Sequence, residues 1–167
     1  MRVPSGFAVA ALYLWLARPE KGMLAAGLAV ALAGIALRTW AAGHLAKNQA
    51  LATSGPFAYT RNPLYLGTLA AGAGFAVAGR SWWLAALLAA YFFGVYLPVI
   101  GQEESHLRKL FPAYAGYQAR VPRVWPRRSP AYRDGVAFEW SLWVRNQEYK
   151  AVLAYLAAAA WLAARTG

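Results

Sequence analysis

Long apolar runs constrain this chain more than any other feature. A helix that crosses a bilayer needs about 20 mainly apolar residues, within a range of about 17–25. Five stretches approach that length: residues 3–17, 23–42, 64–78, 82–100 and 140–164. Only Gly79-Arg80-Ser81 separates the third from the fourth, room for a tight turn, so those two are expected to form an antiparallel hairpin. The first follows one basic residue, Arg2, as a secretory leader would, but no small-x-small cleavage site follows and it reads as a retained span. The last carries Trp140 and Trp143, an interfacial belt, ahead of the Ala-rich stretch from Ala151 to Ala164, and is also expected to span. Composition agrees: 60% of the 167 residues are hydrophobic and 14% charged, against about 45–50% and about 25% in soluble domains. That content excludes disorder, and the lack of cysteine excludes a disulfide-stapled module and thiolate metal sites. The expected fold class is all-α: one integral membrane helical bundle of about five transmembrane helices with a cytoplasmic helical cap.

Charge follows the same plan. Seventeen Lys and Arg against six Asp and Glu give a net +11. With five spans, 13 of the 17 cations fall on one side. The positive-inside rule then puts the N-terminus and the long segments 43–63 and 101–135 in the cytoplasm. Anionic headgroups attract such cations by about 1 kcal/mol each, so membrane lipids, not nucleic acid, are the expected partners of the charge. Arg38, near the end of the second span, is expected to snorkel towards the headgroups. The Ala/Arg-rich composition suggests a bacterial plasma membrane. The Ala- and Gly-rich spans allow close helix contact without fixing an oligomeric state.

The unusual polar residues sit in two of the cytoplasmic segments. One runs from Leu51 through Ser54-Gly55-Pro56-Phe57 and Arg61-Asn62-Pro63-Leu64-Tyr65 to Gly67, and leads into the third span. The other follows the fourth span: Glu103-Glu104-Ser105-His106-Leu107, a helix ended by Pro112, then Tyr114, Tyr117, Arg120 and Val121-Pro122-Arg123. A hairpin brings these segments together. Ser54-Gly55-Pro56 is a turn, and Arg61-Asn62-Pro63 begins a helix with proline in its first turn. Its backbone donors either bind an anionic or polar ligand group or simply start a membrane helix. Two adjacent carboxylates at the bilayer edge are costly without partners. Glu104 can pair with Arg108 one turn on, at the surface. Glu103, about 100° away around the helix, faces the junction with His106 and Leu107. There it either holds a ligand hydroxyl, amine or sulfonium, or forms a buried ion pair with Arg61 or Arg120.

The string Thr-Ser-Gly-Pro-Phe-x-Tyr-x-Arg-Asn-Pro-Leu-Tyr-Leu-Gly, followed by Glu-Glu-x-x-Leu-x-x-x-Phe and Tyr-x-x-Tyr-x-x-x-Val-Pro-Arg, resembles the isoprenylcysteine carboxyl methyltransferase family. Together with its phospholipid methyltransferase relatives, that family comprises integral membrane enzymes that use S-adenosylmethionine. The resemblance covers about residues 51–126. By position it implies that Leu51, Phe57, Asn62, Pro63, Leu64, Tyr65 and Glu103 line the cofactor site. Two departures stand out. The family usually has His where this chain has Asn62, which cannot titrate near neutrality. The prenylcysteine enzymes carry an Arg one turn before the matched Glu, and here that position is Val99. The cofactor half of the pattern is better kept than the substrate half, so a prenylcysteine substrate does not carry over.

Methyl transfer from a sulfonium is an in-line displacement whose main demand is alignment and exclusion of water. It needs no metal. Arg61 and Arg120 are expected to orient a carboxylate of cofactor or substrate, and Arg61, Glu104, His106 and Arg120 form the candidate catalytic set. His44, just past the second span, is either a base or ligand group or an interfacial hydrogen-bonding residue. Tyr114 and Tyr117 are expected to pack the cap against the membrane surface. The expected function is an S-adenosylmethionine-dependent membrane methyltransferase acting on a lipophilic or lipid-anchored substrate. The alternatives are a sterol-reductase-like NADPH enzyme and a non-catalytic protein on the same scaffold.

Overall fold

Small residues recur along one face of the second and third apolar runs, and this decides how the two pack. In the computed structural model, which describes residues 12–13 and 15–166, they form helices α1 (Lys21–Ala42) and α2 (Pro63–Ala78). Gly27, Ala31 and Gly34 of α1 meet Gly67, Ala71, Gly74 and Ala78 of α2. A Cβ on Gly27 or Gly34 would collide with the α2 backbone, at Gly74 and Ala78 in the first case and Gly67 and Ala71 in the second. The helices therefore touch backbone to backbone, the contact small residues provide where water supplies no driving force between helices.

Four more helices follow: α3 (Trp82–Leu110), α4 (Tyr114–Arg120), α5 (Trp140–Arg145) and α6 (Tyr149–Ala164). The described residues contain no strand. Helices α1 and α3 are long and apolar enough to cross a membrane, whereas α2 and α6 have 16 residues each. Most of the expected first span lies outside the described residues; its end, Ala17, packs on Ala78 and Leu162. The outer surface of the helices is apolar, with Val30, Leu32, Trp82, Phe93, Leu153 and Leu156 all exposed. Monomeric soluble proteins rarely show such a surface; it suits lipid.

The α2–α3 hairpin turns through Gly79, Arg80 (φ 47°) and Ser81. At this end Arg80 pairs with Glu20 ahead of α1. Within α3 the residues Phe92–Tyr96 form a π-helical turn, directly before Leu97-Pro98. Pro98 has no N–H for the carbonyl four residues back, and a widened turn absorbs that loss. The expected break between a span ending at residue 100 and a separate helix from Glu103 is absent: Gly101 lies between them, but no proline does, and α3 continues through it as one rod.

The last run also differs from expectation. It is not one helix over residues 140–164 but two, broken at Asn146-Gln147-Glu148, where Gln147 has φ 58°. Tertiary partners hold the break. Asn146 Nδ2 donates to the Ala42 carbonyl at 3.0 Å and the Leu45 carbonyl at 2.9 Å, satisfying acceptors at the end of α1. Glu148 is buried against Arg38.

Backbone hydrogen bonds tie the cap to the loop before α2. Arg61 N–H donates to the Pro122 carbonyl (2.9 Å), Arg127 N–H to Tyr59 (3.1 Å) and Ala131 N–H to Ala58 (2.8 Å), so residues 58–61 and 122–131 run antiparallel. Tyr114, Tyr117 and Val121 pack with Leu51, Leu107 and Phe111. The two tyrosines are thus the interior of the cap rather than its seat on a membrane surface, and Tyr117 Oη donates to the Phe57 carbonyl at 2.8 Å. Burial raises both phenol pKa values, with Glu104 adding to the shift at Tyr114 and the Tyr114 phenol adding to it at Tyr117.

Candidate functional site

The loop after α1, the start of α2, the second half of α3 and the cap enclose a cavity of about 570 Å³, within the usual range of about 300–1,000 Å³ for small-molecule sites. Leu51 and Phe57 come from the loop, Asn62, Pro63, Leu64 and Tyr65 from the start of α2, and Glu103 from α3. All seven residues that the resemblance assigned to a cofactor thus line one space. Glu103 accepts a hydrogen bond from Tyr65 Oη at 2.9 Å and is otherwise open to solvent. The Tyr65 ring lies 5.4 Å from that of Tyr96, which ends the π-helical turn and lines the same cavity. Asn62 is held by its side chain: Nδ2 donates to the Arg123 carbonyl at 2.9 Å.

Glu104 is placed differently from expectation. It is 6% exposed and sits between two guanidinium groups, Arg61 Nη1 at 3.1 Å and Arg123 Nε at 3.2 Å. The surface pair with Arg108 is absent, and Arg108 Nε donates instead to Gln118 Oε1 at 3.0 Å. The cause is helix direction: Glu104 follows buried Ile100 by one turn and points inward, where a lone carboxylate is costly. Arg61 meets a carboxylate, but it is the protein's own. Its Nε is buried with no hydrogen-bond partner among the described residues, and the residue lines the cavity.

Two other candidates are positioned less centrally. His106 lines the rim of the cavity and is exposed. Arg120 is not among the lining residues; it lies on the outside of the cap with its guanidinium 5.7 Å from the Tyr132 ring centroid. Tyr114 and Tyr117 occupy the buried face of α4, Arg120 at its end falls off that face, and Arg123 beyond the helix reaches Glu104 instead. His44 also lies outside the cavity lining. Its Nδ1 is 3.1 Å from Ser54 Oγ, its ring contacts Trp40 and Phe138, and Gly55 (φ 55°) packs against it too closely for a Cβ. Burial lowers the His44 pKa.

Sequence reasoning missed the deeper end of the cavity. Arg38 does not snorkel outward. Its Nε and Nη2 donate to the two carboxylate oxygens of Glu148, and Nη1 to Thr68 Oγ1 and the Leu64 carbonyl. The pair joins α1, α2 and α6, and both residues line the cavity. A signal was present: Glu148 is one of only six acidic residues, and it begins an apolar helix.

The described residues form an all-helical fold with two helices long and apolar enough to cross a membrane and a cavity at one end lined by both apolar and charged side chains. The chain belongs to the phospholipid methyltransferase family, whose profile matches residues 23–114, more than half of the sequence. The cobalt-zinc-cadmium resistance protein CzcN of Cupriavidus metallidurans is 38% identical over 110 residues, covering 65% of this chain and 49% of that protein. The nickel-cobalt-cadmium resistance protein NccN of Alcaligenes xylosoxydans xylosoxydans is 34% identical over 111 residues, 63% of this chain and 52% of the relative. The matches thus span about half the length of these curated relatives. No solved structure matches the chain.

Proposed function

We propose that this chain is an integral membrane methyltransferase that takes S-adenosylmethionine from the cytoplasm and a lipophilic acceptor from the bilayer. The observation that carries the reading is the convergence of Leu51, Phe57, Asn62, Pro63, Leu64, Tyr65 and Glu103 on one cavity. Its chemistry suits an amphoteric cofactor. Glu103 offers a carboxylate to a cationic group, the orphaned Nε of Arg61 offers a donor to an anionic one, and Leu51, Phe57 and Leu64 offer apolar surface. When bound there, S-adenosylmethionine supplies an electrophilic methyl group open to in-line displacement.

The residues then have distinct tasks. Tyr65 orients Glu103 through its hydroxyl. Arg61 and Arg123 neutralise Glu104, so that carboxylate fixes the cap on α3 and does not serve as a proton acceptor. Leu107, Tyr114 and Tyr117 shield the site from water. His106, at the rim, is the titratable group placed to accept a proton from an acceptor that needs one. In this reading the metal resistance for which the relatives are named would follow from modifying a membrane component. Among the described residues no three His, Asp or Glu side chains gather as a metal-binding group would.

Calorimetric titration of the detergent-purified protein with S-adenosylhomocysteine and, separately, NADPH tests the reading. Saturable binding of S-adenosylhomocysteine and none of NADPH is the expected result. NADPH binding alone would favour the reductase alternative, and binding of neither would favour a non-catalytic scaffold.

A further inference from the structure

The backbone stretch that walls the cavity has a second face. Arg61 and Asn62 line the cavity, whereas Tyr59 and Thr60 of the same segment line a separate groove of about 330 Å³ on the outside of the molecule. Leu37 and Trp40 of α1, Leu66 of α2, Pro56 and Pro126 complete it, and its surface is almost wholly apolar. Thr60 contributes no free hydroxyl donor, since Oγ1 donates to the Val124 carbonyl at 2.9 Å.

The groove continues along the helices. Val30, Ala33, Leu37 and Trp40 share one face of α1 at helical spacing, and Leu66, Ala70, Ala73 and Val77 share one face of α2. The two helices are antiparallel and in backbone contact through their glycines, so these stripes run side by side. Val30, Ala33 and Trp40 are exposed on α1, as are Ala73 and Val77 on α2. From Trp40 to Val30 the furrow is about 15 Å long at the rise of an α-helix.

At the cap end the charge beside the groove is cationic, whereas at the other end Arg80 is paired with Glu20. Arg127 is bonded through its backbone to Tyr59 in the groove wall, and its Nη1 donates to the Arg120 carbonyl at 2.9 Å. Arg120, Arg127 and Arg128 are all exposed. An apolar furrow along the bilayer-facing helices that ends beneath exposed guanidinium groups matches one molecule: a phospholipid with an anionic headgroup.

We propose that the groove binds an anionic phospholipid, its acyl chain between α1 and α2 and its phosphate at Arg127. The proposal is independent of the methyltransferase reading, since none of the groove residues lines the cavity. The occupied groove presses on the Tyr59–Thr60 side of the segment that positions Arg61 and Asn62, so lipid there would brace the site loop.

Native mass spectrometry of the detergent-purified chain, offered dioleoyl phosphatidylglycerol or dioleoyl phosphatidylcholine, tests this. One retained phosphatidylglycerol per chain, in preference to phosphatidylcholine, is expected. Leu66→Trp, which fills the groove, should reduce retention of both lipids. Arg127→Gln, on the exposed cap, should leave phosphatidylcholine unchanged and weaken phosphatidylglycerol about fivefold, the loss of one cation near a headgroup. Equal retention of the two lipids by the unaltered chain, or no effect of Arg127→Gln, would overturn the headgroup assignment. Displacement of the lipid by inorganic phosphate alone, or a lipid-free dimer, would overturn the acyl-chain assignment.

Discussion

Glu103 and Glu104 are neighbours in α3 with opposite surroundings, and their substitutions should separate binding from stability. Glu103 is exposed and accepts a hydrogen bond from Tyr65, so Glu103→Gln should weaken S-adenosylhomocysteine binding by about tenfold, the loss of roughly 1.4 kcal/mol that one charge-assisted contact represents, with the melting temperature unchanged. Glu104→Gln leaves buried Arg61 without its counter-charge and should destabilise the protein by roughly 3 kcal/mol, measured by thermal unfolding in detergent. Equal small effects on binding in both variants would show that the cofactor faces elsewhere. His44 supplies a pH test. Its folded pKa lies below the ordinary value of about 6.5, so the unfolded chain binds the proton more readily. Its contribution is complete above pH of about 6.5 and is lost as the pH falls through the lowered folded value. The melting temperature of His44→Gln should therefore fall less between pH 7.5 and 5.5 than that of the unaltered chain. At this scale the location of the carboxylates was legible in the sequence, but their partners were not. Spacing along one helix offers Glu104 only Arg108, whereas Arg61 and Arg123 arrive from other elements through the 58–61 and 122–131 pairing. The inward turn of Arg38 was hidden for the same reason, because its partner Glu148 is 110 residues away.

Among the elements, the Ala- and Gly-rich spans indicate close helix contact without naming the partners, and the structure makes α1 and α2 the pair in backbone contact. Gly34→Leu forces a side chain into the backbone of Ala71 and should cost about 3 kcal/mol, the upper end of ordinary overpacking. An unchanged melting temperature would show that the helices do not pack this closely. The breaks were harder to read. Pro98 in the fourth apolar run marks a disturbed turn, yet the helix continues through it because a π-helical turn re-pairs the backbone. The last run carries no Pro or Gly to signal its break at Gln147. That break exists because Asn146 and Glu148 are held by α1, and propensity yields to those contacts.

For the molecule as a whole, the apolar exterior and the concentration of cations at the cavity end carry the topology we propose, with the cap on the cytoplasmic side. The absence of cysteine makes this directly testable. In intact cells a membrane-impermeant thiol reagent should label Arg80→Cys, on the α2–α3 turn, and should leave Arg128→Cys, on the cap, unlabelled until the cells are opened. The reverse pattern would invert the topology. We propose that S-adenosylmethionine occupies the cavity between α2, α3 and the cap. Ultraviolet cross-linking of radiolabelled S-adenosylmethionine to the purified protein, followed by peptide mapping, measures that occupancy most directly. Label is expected in the segment from Leu51 to Tyr65, abolished by excess S-adenosylhomocysteine and reduced by Glu103→Gln; label that the competitor does not displace, or that falls only on peptides remote from the cavity, would place the cofactor elsewhere.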